Sequence, residues 1–212
     1  MFFVTGCTAN YYVDIDENLY VKESLYISEK DDFYKPFYKS TKYHVLDNIL
    51  EIYKDVLQEK KYDAQILTNG EPQVEVIKQY PNIEEYLNSS ILFNDYFENI
   101  KYNKVGDLVT IETENFHKND PDDPERFIAE NLNIIIRPAF KVKNSNATKI
   151  DEKNNAYYFE YNNTMEDFKI FMELDLTSKF NPNIKIIIII IVSILCIVAS
   201  WGFYYFSNRK KG

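Results

Sequence analysis

One uncharged apolar run near the C-terminus constrains this chain of 212 residues more than any other feature. Residues 186–206 contain no charged side chain over 21 positions and begin with six isoleucines. At about 1.5 Å per residue, a helix of that length spans about 30 Å, which is the thickness of the hydrocarbon core of a bilayer. A single segment satisfies its backbone in lipid only as a helix. The run therefore predicts a transmembrane helix over 186–206.

The C-terminal end of this run carries residues typical of a membrane interface. Amphipathic aromatic rings favour the boundary between lipid and water, and basic tails favour the cytoplasmic side. Residues 207–212 form a short basic tail, so we expect it in the cytoplasm and the preceding body outside a single-pass cell membrane protein. The membrane-interface anchors that we predict are Trp201, Tyr204, Tyr205, Arg209, Lys210 and Lys211.

The part of the chain before this run is acidic. All 33 Asp and Glu residues precede Ile184 and four of the 24 Lys and Arg residues follow it, so residues 1–183 carry 20 bases and a net charge of -13. Such a body has no basic footprint for nucleic acid, and we expect no nucleic-acid partner. Anionic lipid headgroups repel it at long range. We therefore expect a soluble body that is tethered to the bilayer rather than adsorbed on it.

The N-terminal residues contain a candidate lipid-attachment site. The segment Val4-Thr5-Gly6-Cys7 resembles the end of the lipobox of bacterial lipoprotein signal peptides, in which the cysteine is cleaved free and lipidated. The resemblance implies that residues 1–9 are the remnant of an export signal and that Cys7 is the lipid attachment residue. In the alternative, Cys7 is an ordinary thiol and the protein is tail-anchored, with its body in the cytoplasm. The residues before Cys7 include no basic segment and only a short apolar one.

Residues 10–176 have the pattern of one α+β domain, followed by a juxtamembrane linker over 177–185. About eight segments are rich in β-branched and aromatic residues and alternate with polar ones, as strands with one buried face do. We expect an antiparallel, β-rich extracellular domain with two or three helices. The predicted strands cover 11–16, 19–28, 62–67, 73–80, 106–116, 131–137, 140–143, 156–161 and 168–176. The first two and the next two each form a predicted β-hairpin, the second across Asn69-Gly70. The last strand has one apolar face with Phe168, Ile170, Met172 and Leu174.

Helical periodicity is confined to the middle of this domain. Residues 41–60 place apolar side chains at three- and four-residue spacing after a capping Thr41. Pro81 suits the first turn of a second, short helix over 82–92. Residues 93–102 are compatible with an extension of that helix or with another element. Residues 144–155 are rich in turn-forming residues and predict a loop.

The C-terminal part of the domain resembles one bacterial family. Residues 134–161 read IIIRPAFKVKNSNATKIDEKNNAYYFEY: a strand, a proline, a short strand, an Asn-x-Asn turn and an aromatic strand. This order is similar to the closing signature of LppM-type lipoproteins, although Ala139 stands where the family has Gly. The resemblance implies a membrane-tethered extracellular β-rich domain, for which a lipid- or glycolipid-binding role has been considered, and it brings no catalytic residues. The matching positions are Pro138, Val142, Asn144 and Asn146.

Residues that commonly carry catalysis or bind metals are sparse in the body. The two histidines, His44 and His117, do not have a metal-ligand spacing, and 5 glycines supply no phosphate-binding loop. The acidic loop over 119–125 contains two prolines and lacks the glycine that calcium loops use, so we expect it to be solvated. We also expect the carboxylates of the first hairpin, Glu23 among them, to lie on the surface. We therefore predict a non-enzymatic protein with no metal and no cofactor.

Two functions are compatible with these features. The first is a cell-surface binding module for an envelope lipid or glycolipid, with its ligand in a groove between sheet and helix. The alternative is a structural or accessory subunit of a membrane protein complex that docks through its transmembrane helix. An apolar cavity inside the body would favour the first function, and a solid core would count strongly against it.

Overall fold

The structure is a computed structural model that describes residues 7–29, 54–67, 73–116, 131–162, 165, 167–180 and 192. The chain divides into two compact units, Met1–Phe180 and Asn181–Gly212. Most of the predicted helix over 41–60, the acidic loop over 119–125 and the predicted span over 186–206 lie outside the described residues. Within the part that is described, no helix has both the length and the apolar character needed to cross a membrane.

The first unit is rich in strands, and eleven are described where we expected about eight. They are β1 Cys7–Ile15, β2 Val21–Glu29, β3 Asp63–Leu67, β4 Gln73–Tyr80, β5 Phe97–Val105, β6 Leu108–Phe116, β7 Asn131–Pro138, β8 Phe140–Ser145, β9 Lys149–Asp151, β10 Ala156–Asn162 and β11 Phe171–Lys179. One sheet has the order β3-β4-β2-β1-β7-β10-β9, and a second has the order β5-β6-β11-β8. The α+β class is confirmed.

Strand pairing is antiparallel with one exception among the described pairs. Both predicted hairpins are present, because β1 pairs with β2 and β3 pairs with β4. The expectation of a wholly antiparallel arrangement was wrong for β1 and β7, which run parallel with Tyr12 opposite Ile135. Parallel neighbours need a long crossover, and the chain from β2 to β6 supplies it. The short strand β9 lies in a segment that we predicted as a loop.

The described helices are short. Residues 54–59, labelled α1, are helical and agree with the end of the predicted helix over 41–60. The predicted helix over 82–92 is two helices, α2 Ile83–Ser89 and α3 Ile91–Tyr96, and residues 97 onward form β5 instead of more helix.

Side-chain caps explain why these two helices are separate. Asn82 begins α2, where its side chain accepts a hydrogen bond from the Glu85 N–H at 2.7 Å. Ser90 has an extended backbone, which ends α2, and its Oγ accepts from the Phe93 N–H at 2.9 Å, which begins α3. Ser and Asn favour such positions because their oxygens satisfy free helical N–H groups.

A single hydrophobic core contains side chains from both sheets and from the helices. Alternate residues of β1 point into it, where Ala9, Tyr11 and Val13 are at most 2% exposed. Aromatic rings fill much of its volume: Tyr11 stacks on Phe93 of α3 at a centroid distance of 6.2 Å. Rings therefore occupy the region between sheet and helix where we expected a binding groove.

Candidate functional site

The outer face of the seven-stranded sheet, on the side away from the core, contains a depression of about 340 Å³. Strands β1, β2, β4 and β7 supply its lining, and every second residue of β1 and β2 contributes because successive side chains point to opposite faces. The depression is thus built on paired strands. Its lining residues are Asn10, Tyr12, Asp14, Lys22, Ser24, Tyr26, Gln73 and Arg137.

An aromatic row crosses this outer face. Strand pairing places Tyr12 directly opposite Ile135, and Ile135 directly opposite Tyr158. Residues in such positions have Cβ atoms about 5 Å apart. Ile135 is only 3% exposed although it points away from the core, whereas both tyrosines are partly exposed. The two tyrosines therefore flank the isoleucine. We call Tyr12, Ile135 and Tyr158 the aromatic row, which is apolar and also carries hydroxyl groups.

Arg137 on β7 contacts two side chains that line the depression and fixes their orientation. Nε and Nη2 of Arg137 donate to the two carboxylate oxygens of Asp14 at 2.5 and 2.7 Å. The guanidinium carbon also lies 4.8 Å from the centroid of the Tyr12 ring, a cation–π arrangement. The Tyr12 ring meets the Tyr26 ring edge-on at 5.7 Å. A bidentate ion pair and two ring contacts thus fix the orientation of Tyr12.

Polar side chains border the aromatic row on both sides. On one side Asn133 Nδ2 donates to Asn10 Oδ1 at 2.9 Å, and on the other lies the ion pair of Arg137 with Asp14. Burial, together with a hydrogen bond to Glu75, raises the pKa of Tyr26 to about 12, so its hydroxyl stays protonated at neutral pH. The face therefore offers amide, hydroxyl and guanidinium groups next to aromatic rings, an arrangement suited to a polar ligand that also has an apolar surface.

The inner face of the same strands holds a buried carboxylate. Glu23 lies between Lys22 and Ser24, which both line the outer depression, and strand alternation therefore points it into the core. It is 0% exposed, so the expectation of a surface carboxylate was wrong. The available sequence signal was its position: Glu23 occupies the same face as Val21 and Leu25, which are buried.

Four hydroxyl groups donate hydrogen bonds to Glu23. Tyr11 and Ser90 donate to Oε1, the latter at 2.5 Å, and Tyr80 and Tyr62 donate to Oε2 at 2.6 and 3.1 Å. Burial raises the pKa of Glu23, whereas the four hydrogen bonds act to lower it. A buried carboxylate needs all of its acceptor sites satisfied. We call these five side chains the hydroxyl cage.

Only Cys7 among the predicted site residues lies in the described part of the chain. It begins β1, where it is paired with Glu29 of β2. The six predicted membrane anchors, both histidines and the acidic loop over 119–125 lie outside the described residues. Within the described ranges, no three side chains of His, Cys, Asp or Glu are grouped closely enough to hold a metal ion, and we assign no residue to a cofactor.

The fold places the first unit among α+β domains built from two sheets around an aromatic core. It is similar to the NMR structure of the folded domain of LppM from Mycobacterium tuberculosis, with a TM-score of 0.52 and 13% identity over 86% of this chain and 96% of that chain. No protein-family model and no curated protein matches the chain. The resemblance carried by residues 134–161 is therefore confirmed for the fold, and at this identity the likeness concerns the fold alone.

Proposed function

We propose that this chain is a membrane-anchored cell-surface binding module that recognises the sugar headgroup of an envelope glycolipid. The recognition surface is the depression on the outer face of the seven-stranded sheet. The proposal rests on one observation: an aromatic row, of which Tyr12 lines the depression, lies beside amide and guanidinium groups whose positions are fixed by hydrogen bonds. The LppM-like fold and the lipobox-like segment ending at Cys7 support a lipoprotein-type module.

The chemistry of a sugar ring matches this surface. A pyranose has a face of C–H groups and a rim of hydroxyl groups. The rings of Tyr12 and Tyr158, which are partly exposed, supply apolar contact area, and tyrosine also has a hydroxyl that forms hydrogen bonds. The neighbouring amides and ion pair supply donors and acceptors for the rim. A volume of about 340 Å³ lies near the lower end of the range for small-ligand sites and suits one or two sugar units.

The charges favour a neutral headgroup over an anionic one. Asp14 neutralises Arg137 within the depression, and Lys22 lies close enough to Glu75 to help lower the pKa of that carboxyl. The surrounding body has a net charge of -13 over residues 1–183. Anionic lipids are therefore repelled at long range and find no uncompensated group of cations in the depression.

Two anchors hold the module at the bilayer in this proposal. The predicted helix over 186–206 crosses the membrane, with aromatic and basic anchors from Trp201 to Lys211 at its cytoplasmic end, and a lipid on Cys7 adds a second attachment. The body then faces outward, where envelope glycolipids are present. No catalytic step belongs to this function.

Binding to vesicles tests the proposal. The full-length chain, held in phosphatidylcholine nanodiscs, is offered vesicles of phosphatidylcholine alone, with diglucosyldiacylglycerol, or with phosphatidylglycerol. We expect binding only to the vesicles with the glucolipid, and we expect Tyr12→Ala to weaken that binding about fivefold because it removes a stacking ring worth about 1 kcal/mol.

The matched control is Tyr20→Ala, since Tyr20 is 55% exposed and lies outside the depression. It should leave binding unchanged. Equal binding to all three kinds of vesicle, or equal losses in the Tyr12 and Tyr20 variants, would refute recognition at the outer face.

A second candidate function is that of an accessory subunit of a membrane protein complex. The observation that favours it is the run of six isoleucines over 186–191, since a β-branched surface is a rigid one for packing against other helices in lipid. In that case, a variant in which residues 186–206 are replaced by a leucine span of equal length should no longer form a chemical cross-link to the membrane partner. Retention of the same cross-linked partner would contradict this candidate.

A further inference from the structure

The hydrogen atoms of the hydroxyl cage have directions that the structure determines. A hydroxyl group has one hydrogen to donate and an oxygen that also accepts. Ser90 Oγ accepts from the Phe93 N–H at 2.9 Å, so its own hydrogen goes to Glu23. Because Tyr11 donates to Glu23, the contact of 2.8 Å between Tyr11 and Tyr86 requires Tyr86 to be the donor.

Tyr62 differs from the other hydroxyls of the cage because it has two acceptors within reach. Its oxygen lies 3.1 Å from Oε2 of Glu23 and 2.8 Å from the hydroxyl oxygen of Tyr80. It also accepts from the Ile91 N–H at 3.1 Å. Tyr80 donates to Glu23 at 2.6 Å and therefore leaves its own oxygen free to accept from Tyr62.

We propose that the hydroxyl cage is a proton switch that holds Glu23 in either protonation state by turning one hydroxyl group, that of Tyr62. When Glu23 is ionised, all four hydroxyls donate to it, and the contact between the Tyr62 and Tyr80 oxygens then has no hydrogen. When a proton from solvent binds to Oε2, that oxygen becomes a donor to the Tyr62 oxygen, and the Tyr62 hydrogen turns to Tyr80. Every polar group keeps a partner in both states, so neither state leaves the buried group unsatisfied.

The charged and titratable groups around Glu23 come from several elements. Strand pairing places Lys78 of β4 directly opposite Glu23, and its Nζ lies 4.7 Å from the ring centroids of both Tyr62 and Tyr80. Burial lowers the pKa of Lys78, while its interactions with Glu23 and Glu85 act to raise it. Burial also raises the pKa values of the tyrosines that face Glu23, so they stay protonated donors. Those tyrosines are Tyr11 on β1, Tyr62 before β3, Tyr80 on β4 and Tyr86 on α2.

The switch has a defined direction with pH. Burial raises the pKa of Glu23 in the folded protein above its value in the unfolded chain. The folded state therefore binds the proton more tightly, and the stabilisation from this group is fully present below the unfolded pKa and is lost as pH rises through the folded pKa. The group that turns, Tyr62, lies between α1 and the edge strand β3. Protonation thus changes the hydrogen bond between Tyr62, at this edge of the sheet, and Glu23 of β2.

NMR on the full-length chain tests the switch independently of any ligand. The chain is labelled with ¹³C at the Glu side-chain carboxyl and at Tyr Cζ, placed in detergent micelles, and titrated from about pH 4 to about pH 8. We expect one carboxyl signal, absent from Glu23→Gln, to titrate above the ordinary carboxyl range. The Cζ signal of Tyr62 should move with the same midpoint and by more than that of Tyr11, because the Tyr11 hydroxyl donates to Glu23 in both states.

The matched control is Glu75→Gln, because Glu75 is an exposed carboxylate that is also hydrogen-bonded to a tyrosine. It should leave the titration of Tyr62 unchanged, whereas Glu23→Gln should abolish it. A Glu23 signal that titrates within or below the ordinary range would overturn the proposal. So would a Tyr62 signal that stays constant while Glu23 titrates.

Discussion

Ser90 lies between helices α2 and α3 and also contacts the buried carboxylate of Glu23. The variant Ser90→Ala therefore removes two interactions at once. Its Oγ accepts from the Phe93 N–H at 2.9 Å as the cap of α3, and its hydroxyl donates to Glu23 at 2.5 Å. The side chain is 0% exposed, so water does not replace either partner in the variant. We therefore expect both contributions to be lost in full.

The magnitude follows from these two contacts. Loss of a helix cap costs about 1 kcal/mol. At a pH at which Glu23 is ionised, loss of a buried hydrogen bond to this group costs about 2 kcal/mol more. Ser90→Ala should therefore lower the free energy of unfolding by about 3 kcal/mol. The matched control is Asn82→Ala, since Asn82 caps the neighbouring helix α2 but is exposed and should cost only the capping contribution of about 1 kcal/mol.

Urea unfolding of the full-length chain in detergent micelles, followed by far-ultraviolet circular dichroism, measures the difference. With a denaturant slope of about 2 kcal/mol per molar, the midpoint should fall by about 1.5 M for Ser90→Ala and about 0.5 M for Asn82→Ala. In a Glu23→Gln background the cost of Ser90→Ala should shrink, because the acceptor is no longer charged. Equal midpoints for the two variants would refute a role for Ser90 beyond capping.

Four further substitutions have expected outcomes. Asn155→Ala should lower the unfolding free energy by about 3 kcal/mol in urea, because the buried Asn155 amide donates to two backbone carbonyls at 2.6 and 2.8 Å; a loss below about 1 kcal/mol would contradict this. Gly106→Ala should cost about 1 kcal/mol by the same assay, because Gly106 has a φ of +60° and no atom within 4 Å of the added Cβ. Arg137→Lys should change the free energy of unfolding by less than about 1 kcal/mol, because the ion pair of Arg137 with Asp14 is partly exposed. The same variant should weaken binding to glucolipid vesicles about tenfold, because lysine cannot form the bidentate ion pair with Asp14. Cys7→Ser should abolish incorporation of radiolabelled palmitate in a bacterial host while the chain stays in the membrane fraction; persistent label would exclude Cys7 as the attachment site.

The local pattern of the sequence predicted most of the described strands. The alternation of apolar and polar residues predicted the face that carries Phe168, Ile170, Met172 and Leu174, all of which are at most 5% exposed. It also predicted both hairpins, because the paired segments are adjacent in the chain. Local periodicity works there because the same residues decide both the strand and its buried face.

The non-local features could not be predicted in this way. The parallel pairing of β1 with β7 joins residues such as Tyr12 and Ile135, and no local pattern specifies which distant strand becomes a neighbour. The aromatic row of the outer face depends on that pairing and on the next one, with Tyr158. The sequence contains 18 tyrosines but does not show which of them share a face.

The buried carboxylate was missed for a different physical reason. A charged residue in a hairpin is usually on the surface, because burial of an unpaired charge is costly. Glu23 is an exception since its four hydrogen-bond donors come from separate elements of the fold. Its place on the face shared by Val21 and Leu25 was the one local indication, and a strict reading of the alternation would have favoured burial.

Recognition at the outer face is tested most directly by the methyl signal of Ile135 in the full-length chain held in nanodiscs. This side chain lies between Tyr12 and Tyr158 on the outer face and is 3% exposed, whereas Ile111, also 3% exposed, lies in the core between the sheets and serves as the reference. Addition of diglucosyldiacylglycerol to the nanodisc lipid should shift the Ile135 methyl signal and leave that of Ile111 unchanged. A shift at Ile111 with none at Ile135 would contradict the proposal, because it would place the lipid inside the body.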